Sequence, residues 1–178
     1  MTEQESFLRH AMETHGPAVY RLALCRTQSV PDAEDVYQDV FLRLVGQTGA
    51  PEWETERLKA WLLRTALNRC ADLHRLRLRR PVVPLEEATD AAALDQGAAE
   101  LWEAVARLPE KLRMPVHLYY AEGYSTDEIA GLLDVPAATV RTRLHRARMK
   151  LRDLLGGSED EESLSEVDRP YPTAGRAQ

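Results

Sequence analysis

Apolar positions recur along the chain at the three- and four-residue spacing of amphipathic helices, and no alternating run long enough for a strand interrupts them. Phe7, Leu8, Ala11 and Met12 form the first stripe, which runs to Gly16-Pro17. That pair is expected to close one helix and open a second carrying Val19, Leu22, Ala23 and Arg26. Ser29-Val30-Pro31-Asp32 is a further start signal, with Asp32, Glu34 and Asp35 in the first turn, where the helix dipole favours acids. The helix it opens should bury Val36, Val40, Phe41 and Leu44. Residues 46–56, with Gly49 and Pro51, read as a loop. A long helical pattern follows over residues 58–78, with Leu63, Leu67, Cys70, Leu73 and Arg77 along its inner side.

The pattern breaks at residues 81–97, where prolines, acids and an alanine run predict a linker. A second helical block covers residues 98–155, with Pro109 suited to a helix start and Gly123 to a helix end. Residues 157–178 are rich in Ser, Glu, Asp and Pro and poor in apolar side chains, which predicts a disordered acidic tail. The expected architecture is all-α: two small helical domains, residues 1–80 and 98–156, joined by the linker 81–97.

The second block contains a more specific arrangement. Ser125-Thr126-Asp127-Glu128 fits a capping box, in which hydroxyl and carboxylate exchange hydrogen bonds with each other's main chain. Ile129, Ala130, Leu132 and Leu133 then supply the buried face of a short helix, and Asp134-Val135-Pro136 the turn. A longer helix follows, with Val140, Leu144, Ala147, Leu151 and Leu154 on one stripe. Arg141, His145, Arg148 and Arg152 lie opposite, flanked by Arg143, Arg146 and Lys150. A capped helix, a tight turn and a basic helix make a helix-turn-helix, whose second helix enters the major groove of duplex DNA.

The formal net charge of −6 argues against a nucleic-acid partner until its distribution is considered. Arg57, Lys59, Arg64, Arg69, Arg75, Arg77, Arg79 and Arg80 crowd one segment around a lone acid, Asp72, and the helix-turn-helix carries the second basic cluster. The acids gather at residues 32–39, 86–103 and 159–168. Within the first basic segment Trp61, Arg64, Asn68, Asp72, Arg75 and Arg79 share a helix face. A ring to stack on, an amide to read an edge and guanidinium groups for phosphates suit an unpaired strand. Asp72 is repelled by phosphate and should pair with Arg75 or Arg69, and Trp61 read alone could also be a core residue. Asp35, Gln38, Asp39 and Leu42 fall at i, i+3, i+4 and i+7 on the acidic helix. Taken alone that stripe is more simply a solubilising face, although an acidic stripe holding a leucine also fits a basic protein partner with an apolar spot.

Other chemistry finds little support. The five histidines show no metal-ligand spacing and no partnered nucleophile, and no glycine loop is built to cradle phosphate, so no catalytic residue, metal or cofactor is expected. With 44% hydrophobic residues a packed core is within reach. Cys25 and Cys70 lack CxxC spacing and suit a reducing cytoplasm. No run approaches membrane-spanning length, and residues 1–9 are too polar for a signal peptide, so no membrane insertion is expected.

Leu108-Pro-Glu-Lys-Leu-Arg, His117-Leu-Tyr-Tyr-Ala-Glu-Gly-Tyr-Ser, Glu128-Ile-Ala and Thr139-Val-Arg-Thr-Arg-Leu-His-Arg-Ala-Arg together resemble the fourth conserved region of bacterial RNA polymerase sigma factors, in their extracytoplasmic-function group. Asp32-Ala-Glu-Asp-Val-Tyr-Gln-Asp-Val-Phe-Leu-Arg-Leu resembles the second region. The resemblance implies promoter DNA and core RNA polymerase as partners, and an anti-sigma protein as a further candidate partner. It implies that Thr139, Arg141, Thr142, Arg143, His145, Arg146, Arg148 and Lys150 meet the upstream promoter element. Trp61, Arg64, Asn68, Arg69, Arg75 and Arg79 would melt and read the downstream element. Asp32, Asp35, Gln38, Asp39 and Leu42 would dock on the polymerase clamp, and the loop at residues 47–53 would cradle a flipped base. Pro136 stands where the family commonly has a serine, so Asp134 is expected to cap the second helix instead. The rival reading is a helix-turn-helix repressor or activator on duplex operator DNA, which accounts for the C-terminal half alone.

Overall fold

The computed structural model describes residues 2–78 and 96–156, and among them every regular element is helical. The chain divides into two compact units, Met1–Thr89 and Asp90–Gln178. Residues 79–95 and 157–178 lie outside the described residues, and with them most of the expected linker, the acidic tail and Arg79.

The first unit packs three helices, α1 (Glu3–Thr27), α2 (Val30–Val45) and α3 (Thr55–Leu78), each against the other two. A capping box opens α1: the Glu5 N–H donates to Thr2 Oγ1 at 3.2 Å, and the Thr2 N–H to Glu5 Oε2 at 2.8 Å. The expected break at Gly16-Pro17 does not occur, and α1 runs straight through it. Proline costs the helix one main-chain hydrogen bond, but Ala11, His15, Gly16, Ala18, Val19, Leu22 and Ala23 are all buried around it. Burial on both sides outweighs the local defect. Gly16 has its own reason: a Cβ there would stand 2.8 Å from Tyr37 Oη on α2. The real boundary falls at Gln28, whose left-handed conformation (φ 51°) ends α1. Ser29 then caps α2, accepting the Asp32 N–H at 3.4 Å.

Ala33, Val36, Val40, Phe41 and Leu44 face the core from α2, and Leu58, Leu62, Leu63, Ala66, Leu67 and Cys70 from α3. Fully burying each of Leu22, Leu44, Leu62 and Leu63 contributes about 1.5–3 kcal/mol. The loop before α3 holds one 3₁₀ turn, Ala50–Glu52, and α3 begins at Thr55, earlier than its apolar pattern predicts. Leu73 is half-buried and Arg77 exposed, so the inner face of α3 ends sooner than expected.

The second unit contains α4 (Gln96–Ala106), α5 (Glu110–Val116), a π turn (His117–Ala121), α6 (Thr126–Leu133) and α7 (Ala137–Leu154). Helix α4 takes in Gln96 and Gly97, the last residues of the expected linker. Pro109 caps α5 and Pro115 sits inside it. Pro115 offers no N–H to the Lys111 carbonyl, and the chain beyond it widens to the five-residue spacing of the Glu122 N–H bond to His117 O, 3.2 Å. Gly123 (φ 73°) turns the chain out of this segment. The core gathers Val105, Leu108, Leu112, Met114, Leu118, Ile129, Val140, Leu144 and Leu151. On α6 only Ile129 is fully buried, with Ala130, Leu132 and Leu133 half-covered, and on α7 Leu154 is exposed.

Candidate nucleic-acid interface

The helix-turn-helix forms as its local chemistry dictates. The Glu128 N–H donates to Ser125 Oγ at 3.2 Å and the Ser125 N–H to Glu128 Oε2 at 2.8 Å, completing the capping box of α6. Asp134 does not cap α7. It adopts the left-handed conformation (φ 54°) that closes α6, its N–H bonded to Ala130 O. A short polar side chain tolerates that conformation better than a bulky one. Pro136 occupies the N-cap of α7 with no side-chain hydrogen bond, its carbonyl accepting the Thr139 and Val140 N–H groups. A first turn without a side-chain cap is one that a phosphate can approach.

Along α7, Arg141, Thr142, His145, Arg146, Lys150 and Arg152 are exposed, while Thr139, Arg143 and Arg148 are half-buried. Thr142 Oγ1 donates back to Ala138 O at 3.0 Å. Arg148 is set apart from the others: its Nε donates to Tyr120 Oη at 2.9 Å, and its guanidinium lies 5.9 Å from the centre of that ring. Tyr120 belongs to the π turn and is buried. This tether was not visible in the sequence, because 28 residues separate its ends.

On α3 the outward face holds Arg64, Asn68 and Arg75, all exposed, with Trp61 half-buried. The Trp61 ring is paired with that of Trp53, 5.7 Å away, and Arg57 covers the Trp53 ring at 4.7 Å. Trp61 is therefore neither a core tryptophan nor an isolated platform. Its partner lies at the end of the loop that precedes α3, so loop and helix meet through two indoles. Asp72 pairs with Arg75 at 3.4 Å, as its repulsion from phosphate predicts.

The acidic helix splits into two groups. Asp35, Gln38 and Leu42 are exposed, and Leu42 retains 69% of its accessible surface. Asp39 instead receives Arg69 at 2.8 Å and Arg43 at 3.5 Å, and Asp32 receives Arg77. Two acids expected on a docking face and one arginine expected on DNA thus tie α2 to α3. Helical spacing on α2 and α3 separately could not reveal pairs that form only when the helices pack. Among the described residues no group of His, Cys, Asp and Glu is placed to hold a metal ion, and no helix is long and apolar enough to cross a membrane.

Known proteins share both halves of this arrangement. Residues 11–80 match the family described as Sigma-70 region 2, and residues 98–151 match Sigma-70, region 4. The chain is 33% identical over 153 residues to the ECF RNA polymerase sigma factor SigM of Mycobacterium tuberculosis, covering 84% of this chain and 75% of that one. To SigL of the same organism it is 31% identical over 165 residues, covering 84% and 89%. Among solved structures, the fold is similar to sigma factor RpoE in its complex with the anti-sigma factor NepR from Bartonella quintana (TM-score 0.67, 24% identity, 90% and 98% covered). It is also similar to CnrH in complex with the cytosolic domain of CnrY (TM-score 0.60, 26% identity, 86% and 90% covered). The match to region 2 accounts for the half of the chain that a repressor would leave unexplained, and the chain belongs to the ECF RNA polymerase sigma factors.

Proposed function

We propose a division of labour among three surfaces of this sigma factor, which directs promoter-specific transcription with RNA polymerase. Helix α7, through Thr139, Arg141, Thr142, Arg143, His145, Arg146 and Lys150, takes the upstream element as duplex. The α3 face of Trp61, Arg64, Asn68 and Arg75 takes the separated downstream strand. The stripe of Asp35, Gln38 and Leu42 docks on core polymerase. Residues 1–80 and 98–156 act as the two working domains, with 81–97 joining them. The observation that carries this reading is the stripe: an exposed leucine between acidic and amide groups, on the helix that packs directly against α3. Leu42 and Val45, three residues apart on α2, are both exposed, and neighbouring apolar side chains rimmed by polar groups suit a partner's contact.

Arg69, Asp32 and Asp39 act here mainly by fixing α3 on α2, since each is already engaged across the helix pair. Arg148 positions α7 against Tyr120 rather than acting as a simple phosphate contact. The chain catalyses nothing itself, and it works in the cytoplasm, where core polymerase and promoter meet. By likeness to RpoE, solved in complex with the anti-sigma factor NepR, an anti-sigma protein is a further partner of this chain.

The test uses reconstituted holoenzyme on fully paired promoters and on promoters pre-melted by mismatch. Arg143→Ala should lose activity on both templates. Trp61→Ala should recover on the pre-melted one if the ring assists opening, whereas Asn68→Ala should stay impaired if the amide reads a base. Wild-type behaviour of Asn68→Ala on both templates would reduce the α3 face to ordinary helix surface.

A further inference from the structure

The exposed cations of α7 have no internal counter-charge. Arg141, Arg146, Lys150 and Arg152 all face solvent, and among the described residues no carboxylate pairs with them. The one acid of the helix, Asp153, stands in its last turn. Arg146 and Lys150 lie four residues apart on one face, where like charges repel. Met149 lies among these cations and keeps 56% of its surface exposed. The arginines of α3 are placed differently, since Arg69, Arg75 and Arg77 each reach an aspartate.

The chain supplies a counter-charge directly after this helix. Residues 159–168 read Glu-Asp-Glu-Glu-Ser-Leu-Ser-Glu-Val-Asp, with six acids and no base. Only Gly157 and Ser158 separate them from Gly156, whose left-handed conformation (φ 94°) closes α7 and turns the chain off the helix axis. Nothing stands within 4 Å of a Cβ built on Gly156, so no neighbour blocks the exit. Ten residues reach at most about 33 Å, and Arg152 to Arg141 spans roughly 17 Å along the helix. The run also holds two apolar side chains, Leu164 and Val167, as the end of α7 exposes Met149, Leu154 and Leu155.

We propose that residues 159–168 lie back on the basic face of α7 and compete there with DNA. The acids take the positions that phosphates would take, and an apolar side chain of the run covers Met149. Tethering matters more than intrinsic affinity. A segment joined this closely is present at an effective concentration of about 1 mM, so an affinity of about 0.1 mM occupies the face about ten times as often as it leaves it empty. Salt weakens the contact, as it weakens DNA binding. Competition lowers the affinity for every duplex by the same factor. Sequences held only through phosphates are therefore released first, whereas an upstream element that adds base contacts still displaces the acids. The competition rests on the reading of α7 as the duplex-binding helix; the contact between acids and cations does not.

The test keeps the full chain and neutralises the acids with Glu159→Gln, Asp160→Asn, Glu161→Gln and Glu162→Gln together. In NMR spectra of the free chain at low salt, the Arg141, Arg146 and Lys150 amides should differ between wild type and this variant. Those of Arg64 and Asn68 on α3 should coincide, and the α7 differences should vanish at high salt. Affinity for a short mixed-sequence duplex should rise about tenfold at low salt, with a gain that shrinks as salt is added. Identical α7 amides in the two chains overturn the proposal, and any gain in affinity is then general repulsion between the acids and DNA. Differences on α3 instead of α7 also overturn it and place the acids on the other basic helix. Arg141→Gln with Arg146→Gln and Lys150→Gln is the reference for α7. If that variant loses duplex binding while neutralising the acids changes nothing, the competition is overturned and the α7 reading survives. If the reference variant binds duplex as wild type does, both fall.

Discussion

Helices α3 and α7 carry the same kind of residue under different constraints. On α7, Arg141, Arg146, Lys150 and Arg152 are exposed and Arg148 alone is tethered, to Tyr120. On α3, Arg69 and Arg77 reach across to Asp39 and Asp32, and Arg75 closes on Asp72. A cluster of arginines therefore does not measure a DNA-binding surface; their partners do. The exposed α7 cations can be removed without touching the fold, whereas Arg69 and Arg77 of α3 hold that helix on α2. The basic face of α7 should behave as separable electrostatics, and that of α3 should not.

The largest expected effect tests the separable face. Arg141→Gln, Arg146→Gln and Lys150→Gln together should weaken holoenzyme binding to upstream duplex at least about tenfold. The slope of log affinity against log salt should flatten by about 0.9 for each phosphate that is no longer neutralised. Unfolding of the chain should move by no more than about 0.5 kcal/mol. A large drop in stability would show that these cations also hold α7 in place, and the contrast with α3 would collapse.

The single tether on α7 should produce the opposite signature. Tyr120→Phe removes the acceptor of the Arg148 hydrogen bond and keeps the ring. A bond to a charged donor beside a buried ring is worth about 1.5 kcal/mol. The second unit should lose about that much stability, and its salt slope on DNA should be unchanged. If the slope falls as it does for the exposed cations, Arg148 is a phosphate contact after all.

How much of the structure is legible in the sequence follows from how far apart the interacting atoms lie along the chain. The Ser125–Glu128 capping box and the Ser29 cap of α2 are legible because every atom lies within four residues. The comparable box at Thr2–Glu5 carries the same local signal, with Phe7 and Leu8 of the first apolar stripe directly behind it, and is legible by the same logic. Gly16-Pro17 misleads because its compensation comes from Tyr37 on another helix and from burial of residues around it. Asp134 misleads because two helix ends compete for one short turn, and closing α6 needs a left-handed residue more than opening α7 needs a side-chain cap. The α7 face is legible from a single helix period. The α2–α3 ion pairs are not, since each partner is unremarkable on its own helix.

Those ion pairs give the next effect in size. Asp39 and Arg69 meet at 2.8 Å with their side chains 34% and 25% exposed. Solvent reaches both, so a double-mutant cycle of Asp39→Asn and Arg69→Gln should return only about 0.2–1 kcal/mol of coupling, decreasing with salt. This changes how docking is best probed. Asp39→Arg would set two cations side by side and disturb α3, whereas Asp35→Arg alters an exposed position alone. Zero coupling at low salt would remove the reason for treating α3 as the integrated helix.

The smallest effect comes from a buried base in the first unit. His15 is only 6% exposed on α1. Its pKa is held below 6.5 first by burial, which disfavours the imidazolium, and then by the Lys59 ammonium; Glu56 pulls upward and His10 pushes down. In the unfolded chain the ring titrates near 6.5. As pH drops through 6.5 the unfolded state takes up a proton that the folded state still refuses. Stability of the first unit is thus complete above 6.5 and declines with acidification until pH passes the folded value, where the loss ends. Trp53 and Trp61 report this unit by fluorescence once Trp102 is replaced by Phe, since Trp102 lies in the other unit. In that background the denaturation midpoint should fall between neutral and mildly acidic pH. His15→Gln, which keeps a neutral polar side chain at the site, should flatten the decline. Because Lys59 stands on α3, neutralising it with Lys59→Gln should weaken the decline in part, tying the effect to the α1–α3 seam. A decline of unchanged steepness in His15→Gln would assign the acid sensitivity to another group.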